Sequence, residues 1–89
     1  MAKVLYQYDV KTPSPDVDAE AMVLKIRENL PEEYSMQDGT EIKPMFFGIK
    51  AAVCQFISPE DNGLQDKLEN YLTNLEGVGE FELSFTTRL

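Results

Sequence analysis

Residues 49 to 57 read Ile49-Lys50-Ala51-Ala52-Val53-Cys54-Gln55-Phe56-Ile57, and this stretch decides the fold. It is the richest apolar run in the chain, and both faces of an extended segment would be apolar at its middle. A short run of that kind belongs at the centre of a sheet. The residues that follow, Ser58-Pro59-Glu60-Asp61-Asn62-Gly63, form a loop by composition.

Working outward, Leu64, Leu68, Leu72 and Leu75, with Tyr71, recur at helical spacing. Gly77 stands where a helix C-terminal glycine is expected. The last segment alternates Phe81, Leu83 and Phe85 with Glu80, Glu82, Ser84 and Thr86, which reads as a strand. Upstream of the central run, residues 34 to 43 predict a short irregular edge strand. It carries a turn or bulge at Asp38-Gly39 and ends at Pro44. Before it, Ala19, Met22, Ile26 and Leu30 form the apolar stripe of a first helix, which runs to about Asn29 and is stopped by Pro31. Ser14 or Asp16 supplies the cap, and Asp16, Asp18 and Glu20 place negative charge in the first turn. At the start of the chain, Val4, Tyr6, Tyr8 and Val10 alternate with Gln7 and Asp9, and the strand they predict ends at Thr12-Pro13-Ser14-Pro15.

The order β-α-β-β-α-β predicts an α+β fold, a ferredoxin-like α/β sandwich. Its four-stranded antiparallel sheet carries both helices on one face. The first and third strands are central, and the second and fourth lie at the edges. The opposite face is open, with Tyr6 and Tyr8 as a source of apolar surface there. Residues 1–89 are read as one domain.

Composition excludes several functions. Eight basic residues stand against 16 acidic ones, a net charge of −8. That disfavours nonspecific nucleic-acid binding and an anionic membrane surface. The chain has no histidine, so histidine-activated nucleophiles, histidine zinc sites and a histidine pH switch are out. A single cysteine, Cys54, forms no internal disulfide, which points to a reducing, cytoplasmic setting. In mid-strand it reads as a buried small hydrophobe. No apolar run approaches the ~20 residues of a membrane span, and the N-terminus is too polar for a signal peptide. The carboxylates gather at helix starts and in loops, as a solvated surface does, and Glu60-Asp61-Asn62-Gly63 lacks the spacing of a calcium loop. The five glycines form no phosphate-binding fingerprint. No cofactor or metal is expected.

Two features ask for more than packing. The first is Lys43-Pro44-Met45-Phe46-Phe47-Gly48-Ile49-Lys50, where two adjacent rings at a turn point in different directions. Either both pack under the loop, or one is an exposed anchor for a protein partner. The second is Thr86-Thr87-Arg88-Leu89, a lone cation at the end of the last strand. The topology is read as allowing both features at one end of the sheet, forming one surface.

These two places carry a resemblance. The chain resembles the guanine-nucleotide exchange domain family of translation elongation factor 1-beta, in its archaeal form, over essentially all 89 residues. The shared features are the opening strand, Ser14-Pro15-Asp16-Val17-Asp18 and Leu30-Pro31. They continue with Pro44 ahead of Phe47-Gly48-Ile49-Lys50, Leu75-Glu76-Gly77-Val78, and the basic Arg88 before Leu89. The resemblance implies nucleotide exchange on elongation factor 1-alpha, the GTPase that delivers aminoacyl-tRNA, by a cytoplasmic monomer that does no covalent chemistry. It implies that an aromatic side chain inserts into the GTPase and that the basic residue approaches its magnesium and phosphate site. Those positions are Phe47 and Arg88, with Phe46 the alternative ring and Gly48, Ile49, Lys50 and Leu89 beside them. The chain departs from the eukaryotic pattern at Arg88, where lysine is usual, and at Phe46, where a small residue is usual. Residues 34 to 43 match poorly. Two other readings remain on the same architecture: a small-ligand-binding regulatory module, and an assembly subunit without exchange activity.

Overall fold

A computed structural model describes residues 2–37, 40–61 and 63–89, and of Phe46 the backbone alone. The expected turn at Asp38-Gly39 therefore lies outside the described residues.

The elements are β1 (Lys3–Lys11), α1 (Ala19–Glu28), β2 (Ser35–Met36), β3 (Glu41–Pro44), β4 (Lys50–Pro59), α2 (Leu64–Asn74) and β5 (Phe81–Arg88), with a single 3-10 turn at Phe46–Gly48 between β3 and β4. The sheet runs β2-β4-β1-β5, with β3 also on β4, and every pairing is antiparallel. The apolar run is thus central as β4, paired along its length with β1. The expected ferredoxin-like arrangement is present.

Alternation explains the two faces. Tyr6, Tyr8 and Val10 of β1 and Ala52, Cys54 and Phe56 of β4 are buried together with Met22 and Ile26 of α1 and Leu68 and Leu72 of α2. Both helices therefore cover that one face. The tyrosines expected on the open face are in the core instead. Three tyrosine hydroxyls find acceptors: Tyr8 donates to Glu69 Oε2 at 2.9 Å, Tyr34 to the Leu64 carbonyl at 2.6 Å and Tyr71 to the Ile26 carbonyl at 2.7 Å, while the buried Tyr6 hydroxyl accepts from Ser58 Oγ at 3.4 Å. Desolvation raises the pKa of Tyr8 and lifts Tyr34 to about 12.

Three local expectations change. The expected second strand is two short pieces, β2 and β3, on the same edge of β4. Between them Arg27 of α1 donates to the Met36 and Gln37 carbonyls at 3.3 and 3.2 Å, drawing that backbone toward the helix. The α1 cap is Asp18, whose carboxylate accepts from the Glu20 N–H at 3.2 Å. Ser14 instead opens a turn closed by the Val17 N–H, with Pro15 at the second position where proline is favoured. On β5 the register shifts opposite Gln7 and Tyr8, leaving Ser84 as an extra residue. Phe81 and Leu83 pack on the core, and Phe81 meets Tyr8 edge-on at 5.8 Å. Beyond the bulge, Phe85 pairs with Gln7 on the open face and is 45% exposed, so the three residues do not share a side.

Candidate functional site

The β3–β4 hairpin is closed by the Met45 N–H donating to the Ile49 carbonyl at 2.7 Å. Its tip must reverse within Phe46, Phe47 and Gly48, and it does so with positive φ at two successive residues, 60° at Phe47 and 77° at Gly48. Glycine is at ease there. A Cβ at Gly48 would also stand 3.2 Å from Pro15 Cβ, so the proline turn packs against the tip. Phe47 has no such ease. A left-handed backbone costs a side-chain-bearing residue about 1–2 kcal/mol. The residue is 85% exposed, the most of any large hydrophobic among the described residues.

The rest of the motif builds that display. Ile49 is half-buried at the hairpin neck. Lys50 exchanges hydrogen bonds with Thr12: its carbonyl accepts from the Thr12 N–H at 2.9 Å, and its N–H donates to Thr12 Oγ1 at 3.3 Å. The neck is thereby tied to the end of β1. The ring of Phe46 lies outside the described residues.

Arg88 ends β5 opposite Val4. Its Nε lies 2.7 Å from Glu60 Oε2, and its Nη2 donates to Glu60 Oε1 at 2.8 Å. This is the two-point fork that matches guanidinium to carboxylate. The Arg88 side chain is nonetheless 71% exposed. Leu89 donates its N–H to the Lys3 carbonyl at 2.8 Å and leaves its side chain exposed.

The structure does not bring Phe47 and Arg88 together. The hairpin neck lies beside Lys11, which pairs with Ala51, and Arg88 lies beside Val4. Seven residues of β1 separate these rows, roughly 23 Å at about 3.3 Å per residue. The two groups occupy opposite ends of a molecule whose longest dimension is 42 Å. The single surface expected from the sequence is therefore two patches. The reason is strand direction: β4 and β5 both run antiparallel to β1, so the start of one and the end of the other fall at opposite ends.

Cys54 is buried, and desolvation pushes its thiol up to about 12, which removes it as a nucleophile near neutral pH. Among the described residues no group of three His, Cys, Asp or Glu side chains is placed to hold a metal ion. No helix among them is long and apolar enough to cross a membrane. Glu60 is the site residue that sequence reasoning missed. No local pattern in its loop marks it, and only β4 and β5 flanking β1 in parallel bring the ends of both strands to one end of the sheet.

The profile of a family described as the EF-1 guanine nucleotide exchange domain matches residues 5–89. Relatives called elongation factor 1-beta align along nearly their whole length. The protein of Staphylothermus marinus is 38% identical over 90 aligned positions, covering 100% of this chain and 99% of its own. That of Caldivirga maquilingensis is 36% identical, covering 100% and 98%. That of Methanosphaerula palustris is 36% identical, covering 98% of each.

Proposed function

The chain belongs to the EF-1 guanine nucleotide exchange domain family, a translation elongation factor family, and from that premise we propose how it works. Residues 1–89 act as one exchange domain, a cytoplasmic monomer, on the GTPase elongation factor 1-alpha. They promote GDP release and GTP reloading and form no covalent bond.

The observation that carries this reading is Phe47, a strained and 85% exposed aromatic at a hairpin tip. Exposure and strain both cost the isolated fold, and a partner that buries the exposed ring offsets them. Arg88 supplies the second contact, a guanidinium with a fork suited to phosphate or carboxylate. The rows that carry them lie roughly 23 Å apart, from the register and about 3.3 Å per residue, with Phe47 farther out at the tip, which is too far for a metabolite to bridge and suits a folded protein. This separation disfavours the small-ligand module.

Exchange then follows from linkage. A factor that binds the nucleotide-free GTPase more tightly than the loaded one weakens nucleotide binding by the same factor. The Phe47 ring, seated in an apolar pocket, holds the displaced conformation at one end. The Arg88 cation, entering the phosphate region, competes with the charge that retains the nucleotide there. Gly48, Ile49 and Lys50 serve by shaping the hairpin.

The test is release of a fluorescent GDP analogue from an archaeal elongation factor 1-alpha, chased with unlabelled GDP. A concentration-dependent acceleration by this chain supports the reading. An unchanged rate, with active GTPase and folded chain, overturns it.

A further inference from the structure

The geometry points to Glu60 as the resident counter-ion of Arg88, a carboxylate that competes with an anionic site on the GTPase for the Nε and Nη2 edge of the guanidinium. This rests on the role given to Arg88 above. Glu60 occupies Nε and Nη2 with both of its oxygens, at 2.7 and 2.8 Å. Those are donors that an incoming phosphate or carboxylate would take in the same two-point manner. One anion can hold them at a time. A carboxylate left beside a second anion would also repel it.

The pair is not what holds its strands in place. It joins the ends of β4 and β5, which are not neighbours, across the start of β1. Each end is anchored to β1 without it. The Glu60 N–H donates to the Ala2 carbonyl at 3.1 Å, the Leu89 N–H to the Lys3 carbonyl at 2.8 Å, and Thr86 Oγ1 to the Leu5 carbonyl at 3.0 Å. The side chains are also open to solvent, 71% for Arg88 and 40% for Glu60, so an anion can reach the guanidinium and opening the pair is cheap. Glu60 thus sets how readily Arg88 engages.

The experiment measures GDP release at low ionic strength and limiting factor concentration, with wild type, Glu60→Gln, Arg88→Ala and the double variant. Glu60→Gln is expected to accelerate release about two- to five-fold, the scale of an exposed ion pair. The gain should shrink as salt rises and vanish in the Arg88→Ala background. A rate equal to or below wild type overturns the proposal. So does an equal gain without Arg88, which would assign the effect to net charge. Arg88→Ala at the wild-type rate is a different failure, of the role given to Arg88 itself. A readout free of the GTPase is the Arg88 Nε–H resonance. It should be slowed in solvent exchange in the wild type and fast in Glu60→Gln; equal exchange in both overturns the pairing.

Discussion

Replacing Phe47 by glycine should make the isolated protein at least as stable and the factor much worse. The left-handed backbone at Phe47, φ 60° and ψ 27°, costs a residue with a Cβ about 1–2 kcal/mol. Glycine removes that cost and returns about 0.5–1 kcal/mol to the unfolded chain as entropy. With the residue 85% exposed, little packing is lost. The net is a change between about zero and 1.5 kcal/mol in favour of the folded state. Phe47→Ala keeps the strain and should fall within about 0.5 kcal/mol of wild type. Binding moves the other way. A phenylalanine buries about 150–250 Å² when fully covered. At about 25 cal/mol per Å² the exposed share is worth about 3–5 kcal/mol as an upper bound. Aromatic anchors lose about 2–4 kcal/mol on truncation, or about 30- to 1,000-fold. Urea unfolding and GDP release on the same preparations read both effects. Exchange retained within about three-fold in Phe47→Gly, or a loss of more than about 1 kcal/mol of stability, would refute the reasoning.

Gly79→Ala should cost about 1–3 kcal/mol in urea unfolding, because the new Cβ would stand 2.6 Å from the Lys11 carbonyl oxygen, on backbone that cannot swing aside. Asp18→Ala should cost about 1 kcal/mol through the lost α1 cap, with exchange unchanged at saturating factor. Stability should hold from neutrality to about pH 9 and then fall toward pH 12. Cys54 and Tyr34 have folded-state pKa values raised above their usual 9.0 and 10.0 to about 12, so the unfolded chain ionises first and gains with pH. Urea midpoints at pH 7, 9 and 10.5 check this, and a midpoint that rises with alkalinity would contradict it.

The sequence and the structure part where contacts are nonlocal. The stripe Met22–Ile26 and the leucines at 64, 68 and 72 are legible because a helix repeats locally, and the run from Ile49 to Ile57 is legible because burial on both faces leaves few polar residues. The split of the edge strand rests on Arg27 reaching two carbonyls beyond the next turn, which no local pattern records. The bulge at Ser84 is invisible because Phe81, Leu83 and Phe85 alternate without a break. The Asp18 cap was open to the same reading as Ser14 and Asp16, all three being good capping residues; Pro15 decided by favouring a turn at Ser14. Phe47 was legible as one of two rings, and its exposure follows only from the hairpin geometry. The expected single surface overlooks strand direction, which sets Phe47 and Arg88 at opposite ends, and the order of strands around β1, which brings Arg88 to Glu60.

The most direct test of the account is GDP release from one archaeal elongation factor 1-alpha with four chains: wild type, Phe47→Ala, Arg88→Ala and the double variant. Two contacts on one partner, carried by rows roughly 23 Å apart at about 3.3 Å per residue of β1, should act independently. The account expects acceleration by the wild type, a loss of about ten-fold or more in each single variant, and losses that multiply in the double variant, all four chains remaining folded. No acceleration by the wild type, or single variants that exchange at its rate, would contradict it.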